Sequence, residues 1–306
     1  MTRHPVRTAL GAVAGFGLAG AALNLTALHG FRLRQETAPV LPDGWAPIRI
    51  LHLSDLHLAP WQRTKIRWVR ALAGLHPDLV IDTGDNLGHP AAFSALRRAL
   101  GPLLGVPGVV VDGGNDLWAP RPRNPARYLL GPSRHAPGRR PLDTARLHRL
   151  LGSSGWQRLE NRATVIHLPQ GDLGIIGTGD AHEGRANLSQ ALATRPELPA
   201  GTPWIGVTHA PYLHIVNGLA DAGVSMCFAG HTHGGQIHLP GLGALVTNCD
   251  LPRPFASGMH HWNSPEGAET TLEISAGLGT SIYAPVRVFC PPEAVLLTLT
   301  ASTRTG

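Results

Sequence analysis

Ile48-Arg49-Ile50-Leu51-His52-Leu53-Ser54-Asp55-Leu56-His57 is the stretch on which the fold turns. Its apolar run predicts a buried strand. Asp55 and His57 stand two residues apart at its C-terminal end, so they share one face if the strand persists. A carboxylate and an imidazole on one strand edge make half of a metal site, although an Asp in this place also suits a turn cap. Arg63 to Leu75 follows as an amphipathic helix, with Ile66, Val69, Leu72 and Ala73 on one side and Arg63, Lys65, Arg67 and Arg70 on the other.

The pattern recurs. Asp78-Leu79-Val80-Ile81-Asp82-Thr83-Gly84-Asp85-Asn86 reads as a second buried strand ending in carboxylates. Pro90 suits the first turn of a helix running to about Leu104. A third strand, Val109-Val110-Val111, ends in Asp112-Gly113-Gly114-Asn115-Asp116. Strands alternating with helices, each strand closing on polar residues, predict an α/β fold with its site at the carboxyl edge of the sheet. Two later strands fit the same rule. Trp204 to Val207 ends at Thr208-His209, and Val224 to Phe228 enters the turn Gly230-His231-Thr232-His233-Gly234-Gly235-Gln236. Glycines flanking that turn let its backbone bend sharply, and imidazole is the commonest metal ligand near neutral pH.

Between these blocks the chain is less regular. Ala119 to Pro141 holds six prolines and six arginines, which makes it either a basic lid or a solvated insertion. A helix is expected over Thr144 to Leu151. Short strands are expected around Trp156 to Asn161, Ala163 to Leu168 and Leu173 to Gly177, as parts of a second sheet. Asp180 and His182 follow the last of these, as neighbours of the site or as structural residues. Val286 to Phe289, Ala294 to Leu299 and the region from Leu272 read as closing strands of that second sheet.

Composition narrows the function. With 306 residues the chain is long enough for a large core, and 15% charged against 43% hydrophobic residues excludes a disordered chain. The net charge of +6 comes almost wholly from arginine, Lys65 being the only lysine, and it suits anionic partners. Cys227, Cys249 and Cys290 are too few and too widely spaced for a zinc ribbon or a disulfide framework, and Cys227 reads as a small core residue. No aromatic residues interleave with the basic ones as base-stacking would require, so no nucleic-acid partner is expected. From Thr8 to Gly30 there is no charged side chain, with Arg3 and Arg7 before and Arg32 and Arg34 after. Residues 1–34 are therefore expected to be an apolar helical anchor that makes the protein membrane-associated by one N-terminal segment. A cleaved signal peptide or an interfacial helix are the alternatives. Residues 35–47, with three prolines, are expected as a linker, 48–300 as the catalytic domain and 301–306 as a tail.

Taken together, Asp55-Leu56-His57, Gly84-Asp85, Gly114-Asn115, Thr208-His209 and Gly230-His231-Thr232-His233 resemble the calcineurin-like metallophosphoesterase superfamily, in the family's order and over about Arg49 to Leu299. The apolar N-terminus and the Gly-His-Thr-His-Gly-Gly-Gln form are similar to its bacterial membrane-associated, YkuE-type branch. The resemblance implies a four-layer sandwich of two mixed β-sheets flanked by helices. It also implies hydrolysis of a phosphodiester, phosphomonoester or pyrophosphate by hydroxide at a two-metal site; the expectation of a lipid-linked or nucleotide-sugar substrate comes from the N-terminal anchor alone. One metal falls to Asp55, His57 and His233, the other to Asn115, His209 and His231, with Asp85 shared. Nitrogen and oxygen donors without thiolate suit two divalent ions drawn from Mn, Fe, Zn or Ni, Mn being favoured.

One departure stands out. The family has histidine after its Gly-Asn; this chain has Asp116, placed on that register beside Asp85, Asn115 and His209 among the residues expected to act on the substrate. An ionised Asp116 would repel phosphate and donate no proton. Three consequences are open: a leaving group that needs no acid, rescue by His89 or His182, or a catalytically weak metal-binding scaffold or sensor.

Overall fold

The computed structural model describes residues 28–122, 131 and 138–302. In chain order the strands are β1 (Arg32–Leu41), β2 (Ile48–Leu53), β3 (Leu79–Asp82), β4 (Gly108–Val110), β5 (Gln157–Arg158), β6 (Arg162–Leu168) and β7 (Gly171–Gly177). They continue as β8 (Trp204–Val207), β9 (Met226–Ala229), β10 (His238–Leu239), β11 (Gly243–Ala244), β12 (Gly258–Asn263), β13 (Glu269–Ile274) and β14 (Glu293–Ala301). The helices are α1 (Arg63–Ala71), α2 (Phe93–Leu100), α3 (Gly114–Leu117), α4 (Thr144–Gly152), α5 (Leu188–Ala193) and α6 (Leu213–Asp221).

Two six-stranded sheets result, one in the order β1-β14-β2-β3-β4-β5 and the other β12-β13-β9-β8-β7-β6. Both are mixed. In the first, β2 to β5 run parallel and β14 is antiparallel to β2. In the second, β7, β8, β9 and β13 run parallel between two antiparallel edge strands.

Alternation within each strand decides what faces what. Ile48, Ile50, Leu79, Ile81 and Val109 point between the sheets and meet Ile205, Val207, Met226 and Phe228 of the second sheet. The intervening Leu51, Leu53 and Val80 point outward onto Val69 of α1, Leu96 of α2 and Leu147 of α4. On the far side Cys227 and Leu272 pack on Ile215 and Leu219 of α6. Strands buried on both faces read as continuous apolar runs, and these do. The expected layering of helix, sheet, sheet and helix is present.

Several local expectations need correction. The stretch 35–47 was expected to be a linker, but most of it lies in β1, which pairs with β14 from Arg32↔Glu293 onward. Its alternating small and polar residues half-bury an edge strand, a weaker signal than a fully apolar run. β14 belongs to the first sheet and not the second, because it inserts between β1 and β2. Val286–Phe289 forms no strand beyond a single bridge, Ile237↔Val288. The helix expected from Pro90 begins at Phe93 and ends at Leu100, followed by a 3-10 turn at Leu103–Gly105. The apolar segment before Ala27 and most of the basic loop lie outside the described residues, and among those described no helix is long and apolar enough to cross a membrane.

Candidate metal centre

Parallel strands place their C-terminal ends on one edge, and here the edges of the two sheets meet. The turn after β2 is tied to the turn after β3 by Asp55 N–H to Gly84 O at 2.8 Å and His57 N–H to Asp85 O at 2.9 Å. The second sheet is tied in by His231 N–H to Asp55 Oδ2 at 2.9 Å and by His209 Nδ1 to Thr83 O at 2.7 Å.

Asp55, His57, Asp85, His231 and His233 all have positive φ, between 38° and 67°. Left-handed backbone at a non-glycine residue costs about 1–3 kcal/mol and clusters where a site over-determines it. These five residues, in the three turns after β2, β3 and β9, account for half of the ten such non-glycine residues among those described. Close approach demands glycine at two points. A Cβ on Gly230 would lie 1.9 Å from Ser54 Oγ and 2.6 Å from Asp55 Oδ2, and one on Gly113 would lie 2.2 Å from Asp85 Oδ1.

Asp55, His57, Asp85 and His233 converge, each offering one ligand atom within 4.8 Å of the others, and all are buried. His57 Nε2 lies 3.2 Å from His233 Nε2 and 3.3 Å from Asp85 Oδ2, and His233 Nε2 lies 3.4 Å from Asp55 Oδ1. His233 Nδ1 donates to Gly279 O at 2.9 Å, which leaves the lone pair on Nε2. On the other side of Asp85, His209 Nε2 is 3.7 Å from Oδ1. Asn115 sits on Asp85 by two bonds, backbone N–H to Oδ1 at 2.7 Å and Nδ2 to Oδ2 at 2.6 Å. The His231 ring lies 5.2 Å from that of His209, but its Nε2 faces Asn248 O at 3.1 Å, so it joins this half only through its ring.

A divalent cation fits these donors. Asp55 Oδ1 and His209 Nε2 are buried without a hydrogen-bond partner, an expensive arrangement for two acceptors unless a cation meets them. Burial alone would keep His209 neutral, yet the carboxylates of Asp85, Asp180 and Asp55 push it up to about 10. A proton on Nε2 would find no acceptor at hydrogen-bonding distance, so the negative charge around it is better met by metal. His57 is pushed down to about 4, chiefly by burial, which keeps its ring free to ligate. Burial would raise Asp85, but His209, His57 and the two bonds from Asn115 hold it well below the usual carboxylate range.

A calcineurin-like phosphoesterase family model matches residues 48–235, more than half of the chain, and spans every one of these candidate residues. The chain belongs to the calcineurin-like phosphoesterases. Phosphodiesterase YaeI of Escherichia coli (strain K12) is 27% identical over 276 residues, covering 88% of each chain. Two uncharacterized metallophosphoesterases of Bacillus subtilis (strain 168) are also similar: YkoQ at 28% over 254 residues, covering 80% of this chain and 81% of its own, and YkuE at 25% over 266 residues, covering 85% and 82%.

In this member of the family, Asp116 does not stand where a substrate would reach it. It is fully buried, and its Oδ1 accepts from Asn86 N–H at 2.9 Å and Leu87 N–H at 3.2 Å while Oδ2 accepts from Gly113 N–H at 3.2 Å. It ties the turn after β4 to the turn after β3, and burial, with Asp85, Asp112 and Asp82 nearby, pushes its carboxyl well above the ordinary value. Of the two histidines considered as substitutes, His89 packs against Trp61, whereas His182 stacks on His231 with 4.6 Å between ring centroids. Sequence reading missed Arg287, which is fully buried. It donates to Ala276 O at 2.7 Å, Gly277 O at 3.0 Å and Gly279 O at 2.8 Å, and Gly279 O is the carbonyl that orients His233. No spacing rule signals an arginine held by carbonyls from a loop.

Proposed function

We propose that the protein is a metal-dependent phosphoesterase that holds two divalent cations, one on either side of Asp85, and hydrolyses a phosphodiester or a related phosphoric anhydride. The observation that carries this reading is the position of Asp85, with Oδ2 facing His57 and Oδ1 facing His209. Asp55, His57 and His233 would hold the first cation; His209, Asn115 and, after its ring turns from Asn248, His231 would hold the second. Bound there, such ions supply Lewis-acid charge and lower the pKa of a water near the phosphorus.

The chain's own residues supply orientation. Thr83 O and Gly279 O fix the tautomers of His209 and His233, so each presents a lone pair to the centre. Asn115 braces Asp85 with both its backbone and its side-chain N–H. His182, beside His231 and linked through Nδ1 to Tyr212 OH at 3.0 Å, is the group we assign to the departing oxygen. The scaffold or sensor alternative rested on a carboxylate facing substrate, and with Asp116 buried it loses that support. The name of the Escherichia coli relative favours a diester among the possible substrates. Manganese is the metal to test first, and segment 8–30 is proposed as the membrane attachment.

Hydrolysis of a chromogenic phosphodiester and its monoester with Mn²⁺ tests this reading, with His233→Ala as control. Turnover abolished in the variant is expected. Turnover equal in both proteins, or none from a wild-type chain carrying two bound ions, would overturn it.

A further inference from the structure

Five large hydrophobic side chains are exposed among the described residues: Trp61, Leu239, Leu242, Tyr283 and Phe289. They are not scattered. Trp61 follows His57 by four residues and packs against His89, whose neighbour Gly88 abuts the His57 backbone. Leu239 and Leu242 sit on the β10–β11 hairpin, which leaves the His231–Gln236 turn directly. Tyr283 and Phe289 lie on the loop after Gly279, and that loop joins the hairpin through His238 N–H to Val288 O at 2.9 Å. All five therefore stand on loops that spring from the metal centre, on its His57 and His233 side.

The topology brings the start of β1 to the same place. β1 runs parallel to β14, starting at Arg32↔Glu293, and Glu293 N–H bonds Gly277 O beside Asp55. β14 in turn meets the C-terminal end of β2 through Val295↔His52. So the described chain that follows the uncharged stretch, from Phe31 into β1, enters the fold at the metal-centre edge and not at the opposite one. Phe31 fixes the entry by packing on Trp68 of α1, with 5.4 Å between rings.

Charge agrees with this placement. The loops 58–62, 237–247 and 280–292 contain no acidic residue. Arg32, Arg63, Arg67 and Arg253, on or next to these elements, are exposed. A cluster of single aromatic and aliphatic tips ringed by arginine is the composition that seats in the headgroup layer of an anionic bilayer.

We propose that the metal-centre edge is a membrane-docking face, on which Trp61, Leu239, Leu242, Tyr283 and Phe289 enter the interface of an anionic lipid bilayer while the arginines meet its headgroups. The site then opens toward the lipid surface, and the substrate class it implies is a phosphate ester presented by a lipid. The docking rests on the membrane attachment proposed for segment 8–30, and only the substrate class rests on the proposed hydrolysis.

The chain reports on itself, because none of its seven tryptophans precedes Trp45 and the attachment segment is therefore silent. The full chain is bound to vesicles of phosphatidylcholine and phosphatidylglycerol carrying brominated acyl chains, and tryptophan emission is recorded for the wild type, Trp61→Phe and the double variant Leu242→Ser/Phe289→Ser. Quenching of the wild type that is lost in Trp61→Phe, and reduced in the double variant, is the expected result. No quenching means that the domain stands off the bilayer, and undiminished quenching in Trp61→Phe means that another face docks; either overturns the proposal. Metal content and turnover of the same preparations read the hydrolytic function separately, so its failure would leave the quenching result standing.

Discussion

Replacing Asp116 by histidine restores the motif usual in the family on the register read from sequence, and on that reading it should raise activity towards poor leaving groups. The structure predicts the reverse. Asp116 accepts three backbone N–H groups from two turns that carry Asp85 and Asn115. Leaving a buried donor unsatisfied costs about 1–3 kcal/mol, so with three donors Asp116→Ala should lose ~3–9 kcal/mol, and Asp116→His at least as much because the larger ring has no room. Against a whole-domain stability of about 5–15 kcal/mol, that loss unfolds much of the protein near body temperature. Asp116→Asn keeps Oδ1 and loses only the acceptor facing Gly113 N–H, an expected cost of about 1–2 kcal/mol. The pH dependence has a definite sign. The raised carboxyl keeps its proton in the native chain at pH values where the unfolded chain has lost it, so this group's contribution falls as pH rises above the ordinary carboxylate value. Asp116→Asn cannot ionise and should flatten that part of the slope. Urea unfolding of the wild type, Asn and His variants at about pH 5 and pH 8 measures both effects. A stable Asp116→His protein that turns over a poor leaving group faster than wild type would refute the reasoning.

Three further outcomes are expected. Gly230→Ala should abolish tight metal binding while leaving most of the secondary structure, since its methyl would collide with Ser54 and Asp55; two ions per chain by elemental analysis of the variant would contradict this. Arg287→Met should cost about 3–5 kcal/mol by leaving three carbonyls without a charged donor, and should weaken metal affinity through His233, which titration of the variant with Mn²⁺ would show. Lys65 is buried and pushed down to about 7 by burial and by Arg287, so it remains neutral in the native chain over a range where it is charged when unfolded. Its contribution is favourable at high pH and lost as pH falls, and Lys65→Met should recover up to ~5 kcal/mol near pH 7, less whatever the bond to Leu56 O supplies, in paired urea unfolding curves.

The sites at strand ends were legible because fully buried strands leave an unmistakable apolar run, and a polar residue straight after one has few places to go except the edge. That logic puts Asp55, Asp85, His209 and His233 just after strand ends, and the structure brings those ends to one edge. It failed where the signal is not local. β1 is an edge strand carrying Arg34 and Glu36, and only its pairing with β14, far away in sequence, makes it a strand. Asp116 and Asn115 look equally exposed in a polar turn; the positive φ at Asp85 and the direction of α3 decide that Asn115 turns to the centre and Asp116 turns away. Arg287 required the path of a loop that has no regular structure, which sequence periodicity does not encode.

The place of β14 has a consequence for how the chain is made. β1 and β2 are made long before β14, yet in the first sheet they are joined only through β14, which lies between them. A nascent chain therefore carries two unpaired strand edges through the synthesis of more than 200 residues, from Leu53 to Glu293. Both are open to wrong partners for that time. Closure of the first sheet waits for Glu293 and the residues after it, and a chain cut short before Glu293 would hold every candidate metal-ligating side chain, from Asp55 to His233, without the strand that locks their scaffold.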